Sequence, residues 1–401
     1  MKKFFLNLMM LSAIVVGLTL VSCDSDDNGN GATEANELSG SITGTKTLDA
    51  SIEYFLTGPV IVEDGAVLDI PAGTVIKSRE GFSKYILVLQ GGKINVRGTA
   101  EKPVKMIADK DNAGQGYWGG LVINGKAPIT VVLNKDGKQV LGSTEINSAY
   151  VYGGDKTDDN SGEISYLVLG NTGARSSADV EHNGLTLNGV GSGTKISNLY
   201  IYDGADDAIE FFGGSVNVSN LLAVNSDDDM FDFTQGYSGT LTNAYGVWGK
   251  GYSSSESDPR GIEADGNFDG LHPSNSPQAD FKVINMTIEL KLDPDPAAAT
   301  GGGTAPFVYM HDVIKVRRGA KATVENALVK GIGSAKDLID LKDDKGNADP
   351  ATKINLTSTL SGARIDGGKD INGTANEGNI VVGGSNKGCP TDIFGWTGYS
   401  F

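Results

Sequence analysis

The sequence predicts an all-β solenoid, a single-stranded parallel β-helix with a coil of about 22 residues, and three observations carry that prediction. A phrase of apolar, polar, Asn, apolar recurs as Ile196–Leu199, Val218–Leu221 and Leu241–Ala244. It returns as Val283–Met286 and Val324–Ala327 after longer insertions. Around each phrase apolar and polar residues alternate with period two, and no segment of the mature chain shows a long helical period. Glycine supplies 56 of 401 residues, about twice its usual share, and falls between short β-branched runs where the chain has to turn. A period near 22 is too long for a hairpin and too short for a propeller blade.

Taken in order, residues 1–22 begin with Lys2 and Lys3 and continue as an apolar run from Phe4 to Val21. That is the pattern of a secretory signal, and no second apolar span follows it. Leu20-Val21-Ser22-Cys23 resembles a bacterial lipobox, which implies cleavage before Cys23 and acyl chains such as palmitate on its thiol. Each buried CH₂ of such a chain contributes roughly 0.8 kcal/mol, so several chains hold a protein on a membrane. Residues 23–40 are acidic, rich in Gly and Asn and poor in large apolar side chains. Such a segment cannot repay its ordering entropy and is expected to be a flexible tether. Asp24, Ser25, Asp26 and Asp27 resemble the surface-export signal of Bacteroidetes lipoproteins, which implies the outer face of the outer membrane. Residues 41–401 are expected to form the β-helix, with an insertion at about 126–160.

The chain carries a net charge of −17, and −19 once residues 1–22, with two lysines and no acids, are removed. So negative a surface excludes nucleic acid as a partner, because phosphate binding needs clustered Lys and Arg. Cys389 is the only cysteine besides Cys23, so with Cys23 acylated no internal disulfide forms. The core alone has to hold the fold.

Coils of a parallel β-helix stack about 4.8 Å apart. Asn198, Asn220, Asn243, Asn285 and Asn326 are therefore expected to form a continuous ladder at one buried corner, each amide bonded to the next. Alternation sets the register. Leu199 and Ile201 point in, as do Leu221 and Ala223 one coil later. Ile209 and Phe211 point in, followed by Phe231 and Phe233, then Ile262 and Ala264.

The stretches "GKINVRGTAEKPVKMIA", "YWGGLVINGKAP", "YGGDKTDDNSGEISYL" and "NGLTLNGVGSGTKISNLYIYDGADDAIEFFGGS" resemble a family of Bacteroidetes lipoproteins. The resemblance covers most of residues 50–270 and the closing "GWT" at 395–397. It implies a right-handed, pectin-lyase-like β-helix and no settled activity.

Two fragments, "ADDAIEFF" at 205–212 and "SDDDMFDF" at 226–233, repeat an acidic phrase one coil apart. With Ile209 and Phe211 inward, Glu210 faces out, with Asp232 and Glu263 above it and Thr186 below. Asp206 and Asp207 stack on Asp228 and Asp229 at the adjoining turn. Two carboxylates 4.8 Å apart repel by roughly 1 kcal/mol in water and several times that where water is partly excluded. Three readings stay open. The acids cap turns by bonding backbone amides. Alternatively Asp206, Asp207, Glu210, Asp228, Asp229, Asp232 and Glu263 hold a hard cation, for which oxygen-only ligands suit Ca²⁺; "DKTDDNSG" at 155–162 is a second candidate calcium loop. The third reading is catalysis. "DDAI" resembles the paired-aspartate motif of polygalacturonases, but Gly-His-Gly is missing and "IKVRRG" at 314–319 is a loose echo of that family's Arg-Ile-Lys. A lyase would need a basic residue, and Lys250 and Arg260 are the candidates.

His182, His272 and His311 have no zinc spacing to one another, and His182 reads as a turn residue. There is no Gly-x-Ser-x-Gly, phosphate loop or dinucleotide fingerprint. Tyr200, Tyr202, Tyr245 and Trp248 are expected on an outer flank, either as a platform for sugar faces or covered by the 126–160 insertion. The sequence thus favours a surface-exposed lipoprotein that binds polysaccharide or another extracellular macromolecule. A calcium-assisted polysaccharide lyase or glycoside hydrolase acting on acidic glycans is the alternative, and a structural or adhesive envelope protein is the third.

Overall fold

In the computed structural model the strands stack coil upon coil, each parallel to the one a coil before. The structure describes residues 36–177, 180–292, 306–362, 364–365, 367–373 and 379–401. The expected export signal at 1–22, Cys23 and the segment up to Ala35 lie outside the described residues. One column runs through Gly162–Gly170, Lys195–Tyr202, Asn217–Val224, Thr240–Trp248, Asp280–Lys291 and Lys321–Ile332. A second runs through Leu185–Asn188, Ile209–Phe212, Phe231–Thr234, Arg260–Ala264, Met310–Lys315 and Ala335–Asp340. This is a parallel β-helix, nearly all β. No helix among the described residues is long and apolar enough to cross a membrane.

The first column serves two faces because its strands bend. Gly162–Ser165 stacks on Lys93–Arg97, whereas Leu167–Leu169 stacks on Val104–Ala108, with Tyr166 at φ 51° between them. In later coils asparagine takes the bend: Asn198, Asn220, Asn243, Asn285 and Asn326 have φ between 54° and 59°. Asparagine tolerates this left-handed region because its short side chain hydrogen-bonds locally. Here Asn220 Nδ2 donates to Asn198 Oδ1 at 2.9 Å, Asn243 to Asn220 at 2.9 Å, Asn285 to Asn243 at 2.8 Å and Asn326 to Asn285 at 2.7 Å. These asparagines are half-buried rather than buried, because they sit outside the bend. The ladder ends where the backbone N–H of Lys387 donates to Asn326 Oδ1 at 2.8 Å.

Inward positions fill the coil. Phe211, Phe233 and Phe281 form a stack with ring centroids 5.1 and 4.1 Å apart; register places Phe233 over Phe211, and Phe281 joins them from the first column. Burying each contributes on the order of 1.5–3 kcal/mol.

Three expectations need correction. The first strand is Glu37–Ile42, paired with Glu53–Val62, and Leu38 is buried, so the tether expected through residue 40 gives way to β-structure earlier. The 126–160 insertion does not cover the tyrosine flank. Its Ile146 and Tyr150 pack on Tyr85, Leu87 and Val122, and its Ile129 and Tyr152 pack on Phe212. The flank is covered instead by the C-terminal segment: Phe394 and Cys389 bury Tyr245, with Tyr399 beside Tyr200 and Tyr202. Tyr245 donates to Glu289 at 2.6 Å. Trp248 faces the core, with Nε1 3.2 Å from Ser226 O. Tyr200 and Tyr202 are half-buried, so the four rings offer no platform for a sugar.

Candidate functional site: an acidic cleft

The second column places its outward residues in one line. Thr186, Glu210, Asp232 and Glu263 are register partners on successive strands. The preceding turns add Asp206 and Asp207, then Asp228 and Asp229, and the Asp229 backbone N–H donates to Asp207 Oδ1 at 2.9 Å. Together these acids line a cleft of about 250 Å³. Glu145 from the insertion and Glu181 close one side, and Asp265, Asp269, Arg317 and Arg318 close the other.

The two ends of the column differ in charge balance. At the upper end Glu263 is held by Arg260 at 2.5 Å and contacts Arg317, while Arg317 Nε donates to Asp265 at 2.7 Å. Arg318 pairs with Asp265 at 2.6 Å and Asp269 at 2.7 Å. At the lower end no guanidinium comes within ion-pair distance of Asp206, Asp207 or Glu210 among the described residues, since nearby Arg175 pairs with Glu181 and Glu256; Glu210 accepts from Asn183 Nδ2 at 2.6 Å. Burial first, and then the neighbouring acids, push Asp206, Asp207 and Glu210 far above the usual carboxylate range. Asp229 is pushed up in the same way despite Arg260 nearby. Burial raises Asp228 and Asp232 to about 7. Oδ1 of Asp228, Asp229 and Asp232 is buried and has no hydrogen-bond partner among the described residues.

The donor set fits a hard cation. Oxygens of Asp206, Asp207 and Asp228 lie within 4.8 Å of one another, as do those of Asp207, Glu210 and Asp232. Oxygens sharing a Ca²⁺ at roughly 2.3–2.6 Å can be as much as about 5 Å apart, so both spacings are compatible with one ion. Glu263 belongs to neither triad and is taken up by its two arginines, which corrects its place in the expected ligand set. A third triad, Asp312, Asp337 and Asp340, has its own partners: Lys315 meets Asp340 at 2.5 Å, Arg260 meets Asp312 at 3.5 Å, and His311 Nδ1 lies 3.0 Å from Asp312. Burial would raise Asp312, but these partners pull it below the usual range. Such compensation is what the lower cleft lacks.

The candidate bases are also corrected. Lys250 is exposed, outside the residues lining the cleft, and forms no ion pair among the described residues. Arg260 is 3% exposed, and its guanidinium is shared among Asp258, Glu263, Asp312 and Asp229. Burial opposes its charge, but those carboxylates raise its pKa further, so it is no proton acceptor. The 155–162 loop is turn chemistry: Asn160 Oδ1 accepts from Gly162 N at 2.9 Å, and Asp159 Oδ2 from Ser161 Oγ at 3.2 Å.

Glu145, Glu181, Arg317 and Arg318 were not anticipated at this site. Arg317 and Arg318 lie in the "IKVRRG" stretch singled out for another resemblance, and nothing local marks the two glutamates. A second bonded corner was also missed: Asn225 Nδ2 donates to Asp203 Oδ1 at 2.9 Å, one coil apart.

Residues 40–397 match the family model described as a pectate-lyase like beta helix domain. Comparison with curated proteins and with solved structures returns no match. A parallel β-helix with this cleft fits a polysaccharide-related role, and the match over nearly the whole described chain shows that the protein belongs to the pectate-lyase-like β-helix family.

Proposed function

We propose that the protein binds polysaccharide along the acidic cleft with the help of Ca²⁺ held by the lower carboxylates. The observation that carries this reading is the set of buried, unpartnered Oδ1 atoms of Asp228, Asp229 and Asp232 beside two close carboxylate triads. A bound Ca²⁺ would neutralise the column and offer open coordination positions to glycan oxygens. Binding is favoured over lyase chemistry because Arg260, Arg317 and Arg318 are all engaged by carboxylates. The same reading puts the protein on the outer face of the outer membrane, held by acyl chains on Cys23, on the strength of the lipobox-like Leu20–Cys23 and of Asp24–Asp27.

One observation favours a second reading, glycoside hydrolysis. Asp228, raised to about 7, would keep a proton near neutral pH, as a general acid for a leaving oxygen requires.

The test is calorimetric titration of Ca²⁺ into the full chain and into Asp207→Asn/Asp232→Asn, followed by binding of a panel of acidic and neutral polysaccharides with and without Ca²⁺. The reading expects a defined calcium site, lost in the double variant, and glycan binding that needs the ion. New reducing ends would favour the hydrolase, and ultraviolet-absorbing unsaturated ends the lyase. Absence of both calcium and glycan binding would sink the proposal.

A further inference from the structure

Below the acidic cleft lies a second chamber of about 290 Å³, which shares Glu145 and Glu181 with it. Its character is different. Val122, Ile146, Tyr152 and Phe212 form an apolar wall, and His182 and Thr186 are among the polar groups that line the rest. His182 is 1% exposed, between Phe82 and Tyr85 with centroids at 4.7 and 5.0 Å. Its Nε2 lies 3.1 Å from the Phe82 carbonyl, which can only accept, so Nε2 carries the proton. Nδ1 is therefore an acceptor, and it is buried without a partner among the described residues. A Cβ at Gly119 would come within 2.8 Å of this ring, so only glycine leaves room for it there. Thr186 Oγ1 accepts from Asn183 Nδ2 at 3.3 Å, which leaves its own proton to donate.

Beside its apolar wall the chamber thus offers His182 Nδ1 as an unpaired neutral acceptor and Thr186 Oγ1 as a donor, with Ser143, Ser148 and Asn188 as further polar groups. A carboxylate is disfavoured by Glu145 and Glu181 at the junction. A sugar with only hydroxyls could bond His182 Nδ1 but would set a polar group, with no methyl, against Ile146, Tyr152 and Phe212. An acetamido group combines an N–H, a carbonyl and a methyl, and so matches all three features of the wall. We propose that this chamber is a subsite for an N-acetylated amino sugar, its amide N–H donating to His182 Nδ1 and its methyl lying against the apolar wall. The inference rests on the reading of the neighbouring cleft as a polysaccharide site.

The test is saturation-transfer NMR and calorimetry with three probes, N-acetylglucosamine, glucosamine and glucose, on the full chain and three variants. The expected result is transfer strongest at the acetyl methyl and an affinity for N-acetylglucosamine at least tenfold above the other two. His182→Phe and Thr186→Val should each reduce that preference at least threefold. Ile146→Trp leaves His182 in place and fills the chamber from the insertion, so it should abolish the preference even if His182→Phe fails to fold. Equal binding of the three sugars, no binding of N-acetylglucosamine at millimolar concentration, or a preference that survives Ile146→Trp would overturn the inference. Calcium-dependent binding of polymers without an N-acetyl preference would remove this subsite alone and leave the cleft's proposed function standing.

Discussion

Asp229 and Asp207 are joined across one coil: the backbone N–H of Asp229 donates to Asp207 Oδ1 at 2.9 Å. The repeated aspartate pair is therefore turn chemistry and cleft wall at once, since the same carboxyl that holds the next coil also faces its neighbours. Asp207→Asn keeps an acceptor at Oδ1 and removes a carboxyl that is hard to ionise. It should raise the melting temperature of calcium-free protein and eliminate most of the rise that Ca²⁺ gives the wild type. Thermal unfolding of both proteins with chelator and with Ca²⁺ checks this, and a lower melting temperature without Ca²⁺ would contradict it.

Stability without calcium should fall as pH rises. Burial lifts Asp228 and Asp232 to about 7 in the folded chain, against about 3.9 unfolded. The folded state then binds more protons than the unfolded state between those values, so unfolding free energy declines across that window. Below about pH 4 the contribution is fully present, and near pH 7 it is lost. Calcium should flatten the upper part of the curve by taking the place of the protons. Melting temperature against pH, with and without chelator, reads both effects.

Arg260 is a structural hub. Replacing it with Leu leaves Asp229, Glu263 and Asp312 without their shared partner, and breaking a buried pair of this kind costs roughly 3–5 kcal/mol. Lys250→Met at an exposed position should change stability by less than about 0.5 kcal/mol. Chemical denaturation of the two variants side by side distinguishes them, and equal effects would refute the assignment.

The asparagine ladder makes a graded prediction. Asn243 donates to Asn220 and accepts from Asn285 at φ 57°. Asn243→Gly loses both bonds, at about 1 kcal/mol each, but keeps the backbone at ease. Asn243→Ala loses the bonds and strains the backbone, adding roughly 1–2 kcal/mol. Denaturation midpoints should rank wild type above Gly and Gly above Ala.

Phe394 is fully buried over Tyr245. Phe394→Ala should cost about 3–5 kcal/mol locally and speed proteolysis of residues 389–401. Limited digestion followed by mass spectrometry would show cleavage there first, and unchanged resistance would mean that the cover is held elsewhere.

Much of the architecture was legible because coil geometry is written in nearest-neighbour spacing. The alternation at Ile209–Phe211 and Phe231–Phe233 sets the register, and the register sets Glu210 beside Asp232. Burial of Tyr245 and Trp248 was not legible, since the cover comes from the chain's last residues. Nor was the closure of the cleft. Glu145 reaches it from the insertion, and Arg317 meets Glu263 from 54 residues farther along, and no local pattern encodes such distances. His182 read as a turn residue because burial against Phe82, 100 residues earlier, leaves no mark near it.

The stretch from Asn198 to Ser219 carries one ladder amide, one aspartate pair and one inward phenylalanine, each in step with its counterpart in the coil above. The gene for such a protein can therefore grow by tandem copying of a block of 22 codons. A duplicated block inserts a whole coil, extends the ladder and the carboxylate row together, and leaves both flanking coils in phase. Residues beyond that length are taken up between strands, as between Asn243 and Asn285, whose amides still meet at 2.8 Å. The cleft's length is thus open to inheritance in whole coils.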